Sequence, residues 1–369
     1  MIMKIGILTF HRAVNNGAIL QAYALKKYLE NVGHRAEIID YWPDGHEKTY
    51  ELIGDFKRTN NFIKDFVLLL LRIIAYSRAK VRTRKMRNLC KKMFAITDIP
   101  KYKTADSLAV VDYDCIIYGS DQIWWNSIIP TYLGYDAVYW GEYVPACIKK
   151  IAYAPSMRQA VIEEDDKTKI ASYLKNFTKI SARETEVARI ISPLANKDIP
   201  VVLDPVFLLS KEEWATRCET IEKEPYILYY NLLESKSADA LVEKISKQRG
   251  VKIVELTGYV HPFKFGKNVN QTADAFEFIS LIKNAEVVVT SSFHGVAFSV
   301  LFEKEFYAVG LGQLSGRVYS LLKMLNIEER LIHNNVSDVN AFAPIDYDAV
   351  RCLLNEKRKD STNFLNDIC

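Results

Sequence analysis

The run KIGILTF at residues 4–10 is apolar and has the length of a buried β-strand. Residues 17–32 carry apolar side chains at helical spacing, Gly33 stands where a glycine commonly ends a helix, and residues 36–41 return to a strand pattern. This order predicts two parallel strands joined by a right-handed crossover. The loop after the first strand would then lie at the ligand-binding edge of an open α/β sheet.

The alternation continues along the chain in two sets. In the first set we expect strands at 115–118, 150–154, 179–182 and 200–203, with helices at 163–175 and 184–191. In the second set we expect strands at 226–230, 251–256, 286–290 and 306–309, with helices at 238–248, 273–283 and 295–302. These patterns predict two doubly wound α/β domains facing a cleft.

The predicted N-terminal domain spans 1–215 and the predicted C-terminal domain spans 216–345. A final helix at 346–369 is expected to pack back on one of the two halves, with the N-terminal domain as the expected partner. In this arrangement, substrates should bind between the two domains.

The composition is that of an ordinary globular protein, since 49% of the 369 residues are hydrophobic and 25% are charged. The net charge of +4 is too small to predict nucleic-acid binding. The apolar run at 66–71 is too short for a membrane span, and the first residues lack the pattern of a secretory signal. Six cysteines without a C-x-x-C pair argue against a zinc cluster. We therefore expect a cytoplasmic protein without a metal site.

Residues 57–95 form a basic helical insertion with twelve Lys and Arg residues and one acidic residue, Asp65. One interpretation is a solvated helical face. The other is adsorption to an anionic membrane surface, or to a lipid-pyrophosphate substrate presented there.

Two loops at strand ends hold polar side chains that suit a substrate. Asn15, Asn16 and Gly17 precede Gln21 at a helix start, where free N–H groups and the helix dipole favour an anion. The alternative is that Asn16 only caps the helix. After the strand at 115–118, the segment YGSDQIWWN provides Asp121, Gln122 and Trp124, which suit the hydroxyls and the apolar face of a sugar. The alternative is a turn beside buried tryptophans.

A histidine and two arginines also follow predicted strands or loops. His294 comes directly after Ser291, Ser292 and Phe293, with Gly295 beginning the next helix, and histidine is the side chain best suited to proton transfer near neutral pH. A structural histidine is the alternative. Arg183 and Arg317 could each bind a carboxylate or phosphate with a bidentate fork. The alternative for Arg183 is an ion pair with Glu184 or Glu186, and the alternative for Arg317 is a simple turn before it.

Several common signatures are missing from the sequence: G-x-G-x-x-G after the first strand, the P-loop, and the G-x-S-x-G elbow. The segments that remain form a pattern: NNGAILQAYAL at 15–25, GSDQIW at 119–124, ARE at 182–184, LDP at 203–205 and SSFHG at 291–295. Together and in this order, they resemble the polysaccharide pyruvyl transferase family over nearly the whole chain.

The resemblance implies a GT-B-like fold of two Rossmann-like domains, in which a pyruvyl group passes from phosphoenolpyruvate to a sugar of a surface polysaccharide or exopolysaccharide, usually as a ketal. The acceptor would be a sugar or a lipid-linked oligosaccharide, and no cofactor is expected. It implies His294 as the general acid or base. The donor would be bound from the C-terminal side and the acceptor from the N-terminal side. The implied donor contacts are Arg183, Arg317, Ser291, Ser292 and Gly295, and the implied acceptor contacts are Asn15, Asn16, Gly17, Gln21, Asp121, Gln122 and Trp124.

The chain departs from the family at one position. Many members have an arginine two residues before the histidine, where this chain has Ser292. We therefore expect Arg183 or Arg317 to provide the anion contact. The competing hypotheses are a nucleotide-sugar glycosyltransferase of the same architecture and a non-catalytic glycan-binding relative.

Overall fold

A computed structural model describes residues 2–50, 61–233, 235–310, 312–332 and 343–367. The N-terminal half contains a sheet of five parallel strands in the order β2-β1-β3-β4-β5. Its strands are β1 Lys4–Leu8, β2 Arg35–Ile38, β3 Cys115–Tyr118, β4 Lys149–Ala152 and β5 Lys179–Ile180. Its helices are α1 Asn16–Asn31, α2 Asp44–Thr49, α3 Phe62–Phe94, α4 Lys167–Leu174, α5 Thr185–Ala195 and α6 Lys211–Ala215.

The second half contains a sheet of six parallel strands in the order β11-β10-β9-β6-β7-β8. Its strands are β6 Tyr226–Asn231, β7 Lys252–Thr257, β8 Val269–Asn270, β9 Val287–Thr290, β10 Glu305–Val309 and β11 Leu331–Ile332. Its helices are α7 Lys236–Arg249, α8 Ala275–Asn284, α9 Phe293–Leu301, α10 Gly316–Met324 and α11 Tyr347–Asn366. Two parallel-sheet α/β domains confirm the predicted GT-B-like architecture.

The first β–α–β unit has the predicted form. Ile5 and Ile7 of β1 are fully buried, and α1 buries the apolar side that covers the sheet. Gly33, with φ +94, follows the end of α1 and its N–H donates to the carbonyl of Glu30. This left-handed position is the one that glycine adopts without steric cost.

One predicted strand is wrong. Residues 200–203 form no strand, and only Val201 makes a bridge, to Ala182. Pro200 and Pro205 lack the N–H group that hydrogen bonding between strands requires. The Asp204 side chain accepts a hydrogen bond from the N–H of Val206, at the start of a short 3-10 helix. The segment therefore turns, and Asp204 is placed beyond the sheet edge.

The helix predicted at 57–95 is confirmed from Phe62 to Phe94, and residues 57–60 lie outside the described residues. Within the described part of the chain, no helix has both the length and the apolar content to cross a membrane.

Helix α11 contacts both halves. Near its beginning, Arg351 pairs with Glu303 of the second half at 3.1 Å. Near its end, Ser361 accepts from the N–H of Leu203 at 2.9 Å in the first half. The helix therefore contacts both halves of the structure. The domain boundaries at 215 and 345, and the assignment of this helix to the N-terminal domain, stay predictions.

The two halves meet along α1 and α3. Tyr23 of α1 packs against Trp214 and against Phe276 of α8, with ring centroids 5.7 Å apart in each case. Arg82 of α3 donates to the carbonyl of Thr257 at the end of β7. These contacts bring the loop after β1 next to the loop after β9.

Candidate functional site

Gly17 and His294 approach each other closely where the two halves meet. Gly17 lies at the start of α1, and His294 lies at the start of α9. A Cβ built on Gly17 would lie 2.0 Å from Nδ1 of His294, so only a glycine allows the imidazole ring to take this position. The ring is 7% exposed and therefore sits between the domains.

A buried ionic network lies beside His294. Arg183 donates from Nη1 to Asp204 Oδ2 at 2.7 Å and from Nε to Glu184 Oε1 at 2.8 Å. Ser120, which follows β3, donates to the same Asp204 oxygen at 3.0 Å. Arg183 is 4% exposed and Asp204 is 1% exposed. Buried charges persist only when they are paired in this way.

The charges of this network stabilise one another. Burial acts to lower the pKa of the Arg183 guanidinium, but the adjacent carboxylates of Glu184 and Asp204 raise it above its ordinary value. Burial acts to raise the pKa of Asp204, yet His294 and Arg183 hold it well below its usual range. Asp204 is therefore a fixed negative charge between an arginine and a histidine.

His294 is held without a hydrogen bond to that carboxylate. Its Nε2 lies 3.7 Å from Asp204 Oδ2, which exceeds hydrogen-bond distance. The preceding residue, Phe293, lies under the Arg183 guanidinium, whose Cζ is 4.6 Å from the ring centroid. The two groups predicted to act on one substrate are thus neighbours, although they belong to different domains.

Arg317 approaches from α10. When the Gln122 amide is oriented to satisfy both groups, its oxygen accepts from both terminal nitrogens of Arg317, at 2.8 and 3.0 Å. Burial, together with the positive charges of Arg183 and Arg158, lowers the pKa of Arg317. Three arginines therefore share one region, as a multiply charged anion requires.

Several buried polar atoms in this region have no hydrogen-bond partner. Among them are Nη2 of Arg183, Nε2 of His294 and Nε of Arg317. Leaving a buried polar atom unpaired costs about 1–3 kcal/mol. Each of the three atoms could instead pair with a polar group of a ligand.

The backbone at the sheet edge is strained beside the network. Asp121 has φ +74 and Ala154 has φ +52, and each follows a central strand of the first sheet. Asp121 also forms a bridge with Pro155. Non-glycine residues in the left-handed region persist where the surrounding structure fixes them, and they concentrate at functional sites.

The start of α1 differs from the expectation of free N–H groups. The exposed Asn15 caps the helix, since its Oδ1 accepts from the N–H of Gly17 at 2.9 Å and of Ala18 at 3.3 Å. The residue that caps the helix is therefore Asn15 and not Asn16. The N–H of Gly17 is hydrogen-bonded to this cap, so it is not free to bind an anion. Asn16 is 2% exposed, and both polar atoms of its side chain are without partners.

Two predicted acceptor contacts, Trp124 and Gln21, are fully buried in the structure. Trp124 is fully buried, stacks on Trp140 at 4.3 Å and donates from Nε1 to a backbone carbonyl, so it presents no face to a sugar. Gln21 is also fully buried, and its Nε2 donates to Thr9 and to a carbonyl of its own helix. Both side chains stabilise the domain core. Trp125, the next residue, is half-buried and lies under Arg158 at 5.1 Å.

The predicted donor contacts around His294 make hydrogen bonds and packing contacts that position the loop. Ser292 caps α9 by accepting from the N–H of Gly295. Ser291 accepts from the N–H of Leu232 at 2.9 Å and donates to Asn231. Gly295 is required by packing, because a Cβ there would lie 2.5 Å from Thr290 Oγ1. These three residues hold His294 in place.

The sequence analysis missed four features of the site: Asp204, Ser120, Arg158, and the pairing of Glu184 with the buried Arg183. Asp204 was visible in the LDP segment and Ser120 in the GSDQIW segment, but neither had been given a role, and Glu184 had been named only as an alternative ion-pair partner of Arg183. Arg158 belongs to none of the motifs, and no signal in the sequence indicated it.

Comparison with known proteins identifies a family. Residues 15–312 match the family model described as polysaccharide pyruvyl transferase. That range includes Gly17, Arg183, Asp204 and His294. No curated protein matches the chain.

Solved structures with a similar arrangement have low sequence identity. A Methanocaldococcus jannaschii UDP-GlcNAc 2-epimerase in complex with UDP-GlcNAc and UDP is 12% identical, with 96% of this chain and 93% of that chain covered and a TM-score of 0.46. An E. coli heptosyltransferase with ADP is 10% identical, with 96% and 99% covered and a TM-score of 0.39. Because the identities are this low, the assignment of the site depends on the chain's own residues and on its family.

Proposed function

Because the chain belongs to the polysaccharide pyruvyl transferase family, we propose that it transfers a pyruvyl group from phosphoenolpyruvate to two hydroxyls of a sugar, forming a ketal. The observation that supports this proposal is the group of unpartnered buried nitrogens on Arg183, His294 and Arg317. A donor with both a phosphate and a carboxylate would pair these atoms. The family's usual arginine before the histidine is replaced by Ser292, and Arg183, stacked on Phe293, provides a positive charge close to that position.

The proposed reaction begins with proton transfer. A proton added to the methylene carbon of phosphoenolpyruvate makes the methyl group and leaves positive charge on the central carbon. One sugar hydroxyl adds to that carbon and loses its proton; phosphate then leaves, and the second hydroxyl adds and loses its proton. One proton is consumed at carbon, two are released, and the departing phosphate takes up one.

In this scheme His294 moves a proton through Nε2, the ring atom without a partner. Asp204, which stays ionised, stabilises the imidazolium by its charge at 3.7 Å. Arg183 and Arg317 bind the donor's anionic groups and stabilise the leaving phosphate. The proposed reaction needs no cofactor, and the cytoplasmic location stays a prediction.

We place the acceptor sugar on the N-terminal domain. Asp121 and Gln122 lie at its sheet edge, and both side chains are half-buried. Asn15 and Asn16 directly precede Gly17, which contacts His294. Trp125 replaces Trp124 as the aromatic residue with available surface. Carboxylate and amide groups beside an aromatic ring suit a sugar, which has both hydroxyls and an apolar face.

A direct test is to incubate the protein with phosphoenolpyruvate and candidate acceptor sugars and to follow phosphate release by 31P NMR. We expect His294→Asn to lower turnover by about a hundredfold or more, while phosphoenolpyruvate still raises Tm. His34→Asn, a half-buried histidine at the far end of α1, is the matched control and should keep full turnover. Unchanged turnover in His294→Asn would refute the proton-transfer role.

A nucleotide-sugar glycosyltransferase remains a second candidate because of one cavity in the C-terminal domain. The cavity has a volume of about 550 Å³ and lies where β6 and β7 end and α7 begins, bordered by Asn231, Lys236 and Thr257. Open α/β sheets bind nucleotides at this edge. If a nucleotide sugar raises Tm and phosphoenolpyruvate does not, the pyruvyl assignment is wrong.

A further inference from the structure

The first half of α3 exposes apolar side chains on every side. Residues 66–70 are consecutive, so they point in all directions around the helix axis, and each is between 38% and 52% exposed. Phe62, Ile63 and Ile73 are 84%, 74% and 60% exposed. A helix that is apolar all round is normally buried in protein or in lipid.

A second exposed apolar element lies next to this helix. Tyr259, Phe263 and Phe265, in the loop after β7, are 53%, 64% and 65% exposed. Arg78 of α3 joins the two elements: it donates to two carbonyls of the loop, and its guanidinium stacks on Phe265 at 4.3 Å. We call residues 62–77 of α3, together with the loop at 259–265, the apolar tip.

The charge around the apolar tip is positive. Helix α3 contains ten basic residues and one acidic residue. Lys64 and Lys80 are exposed at the two ends of its apolar part, and Lys267 is exposed beside the aromatic loop. An apolar surface bordered by exposed lysines complements a bilayer with anionic headgroups.

The second half of α3 attaches the apolar tip rigidly to the protein. Met86, Leu89 and Phe94 are buried in the core, and Cys90 donates to the carbonyl of His11. Lys85 pairs with Glu277 of the C-terminal domain at 2.7 Å. The helix thus contacts both domains, so a surface that binds the tip holds both of them.

We propose that the apolar tip inserts into the interface of an anionic lipid membrane and holds the enzyme on that membrane. Residues 62–77 have a length of about 24 Å, which is shorter than the hydrocarbon core of a bilayer, so the helix enters one leaflet and does not cross. Docking of this kind does not depend on the proposed reaction. It does bring the cleft near acceptors that are attached to lipid.

The test is co-sedimentation of the full-length protein with vesicles of phosphatidylcholine alone, and of phosphatidylcholine with phosphatidylglycerol. We expect binding to the anionic vesicles only. The double variant Leu69→Glu, Leu70→Glu should weaken binding by about a hundredfold. Val110→Glu, at a position that is 80% exposed elsewhere, is the matched control and should bind as the unchanged protein does.

A second pair of variants tests the charge. Lys80→Glu should weaken binding to anionic vesicles by about fivefold or more, while Lys359→Glu, on the exposed side of α11, should not. Equal binding of the unchanged protein to neutral vesicles would overturn the electrostatic part of the proposal.

The competing occupant of the apolar tip is a second copy of the chain. Sedimentation velocity without lipid distinguishes the two. Failure of the unchanged protein to bind the anionic vesicles would overturn the proposal. A dimer that the Leu69→Glu, Leu70→Glu variant dissociates would then identify the second copy as the occupant.

Discussion

Gly17 and His294 are in contact across the two domains, so closely that any side chain on Gly17 would overlap the imidazole. We expect Gly17→Ala to displace the His294 ring and lower kcat by about a hundredfold. Gly33→Ala, at the other end of α1, is the control: no atom lies within 4 Å of its Cβ position, but its φ is +94. It should lose about 1 kcal/mol of stability and keep its turnover. Full activity in Gly17→Ala would contradict this relationship.

Asp204→Asn removes a charge that Arg183 and His294 both face. We expect the free energy of unfolding to fall by about 3 kcal/mol, because a buried arginine loses one of its two carboxylate partners. Chemical denaturation measures this loss, and Asp112→Asn, whose side chain is 98% exposed, is the control.

The acid dependence of stability provides a second measurement on the same variant. The folded-state pKa of Asp204 is depressed, so its stabilising contribution is present above the pKa of the unfolded chain and is lost as the pH falls towards the lower folded value. Asp204→Asn should therefore show a weaker loss of stability in acid than the unchanged protein. An identical acid profile would argue against a stabilising charge at this position.

Arg317→Lys keeps the positive charge but loses the guanidinium fork. Because two anionic groups of the donor need directed N–H bonds, we expect KM for phosphoenolpyruvate to rise by about tenfold to a hundredfold. The exposed Arg351 provides the control, and Arg351→Lys should leave KM unchanged. A fall in kcat with no change in KM would instead indicate a role for Arg317 in the transition state alone.

His46 and Asp136 titrate in opposite senses, and the atoms Nε2 and Oδ2 lie 4.0 Å apart. Burial lowers the pKa of His46 to about 4 and raises the pKa of Asp136 to about 6. The His46 contribution to stability is present above pH 6.5 and is lost as pH falls towards 4. The Asp136 contribution is present below pH 3.8 and is lost as pH rises towards 6.

Each titration changes the free energy of unfolding by about 3 kcal/mol. Because the two changes have opposite signs as the pH falls, they nearly cancel in the unchanged protein. We expect Asp136→Asn to lose stability as the pH is lowered from 6.5 to 4, and His46→Gln to gain stability as the pH is lowered from 6 to 3.8. Denaturation at several pH values checks both slopes. Slopes of the same sign in the two variants would contradict the opposed titrations.

The architecture could be read from the sequence because its strands are short apolar runs and its helices have regular apolar spacing. The run at 4–10 and the helix after it required no tertiary information. The segment at 200–203 was wrongly predicted as a strand because its apolar content is typical of one. Its structure is instead determined by the flanking prolines and by the turn at Asp204.

The site was less predictable, since its key contacts join distant parts of the chain. His294 could be found by its position after a buried strand, whereas its contact with Gly17 depends on how the two domains pack. The burial of Trp124 could not be predicted from the sequence, because a tryptophan that follows a strand can face either a ligand or the core. In the structure, Trp140 stacks on Trp124 and covers it.

The imidazole of His294 comes from one half of the molecule, and the carboxylate that would stabilise its charged form, Asp204, comes from the segment that closes the other half. The proposed proton delivery therefore needs both halves together. Under the proposed function, phosphoenolpyruvate bound by a single half would meet an incomplete set of groups and would keep its phosphate.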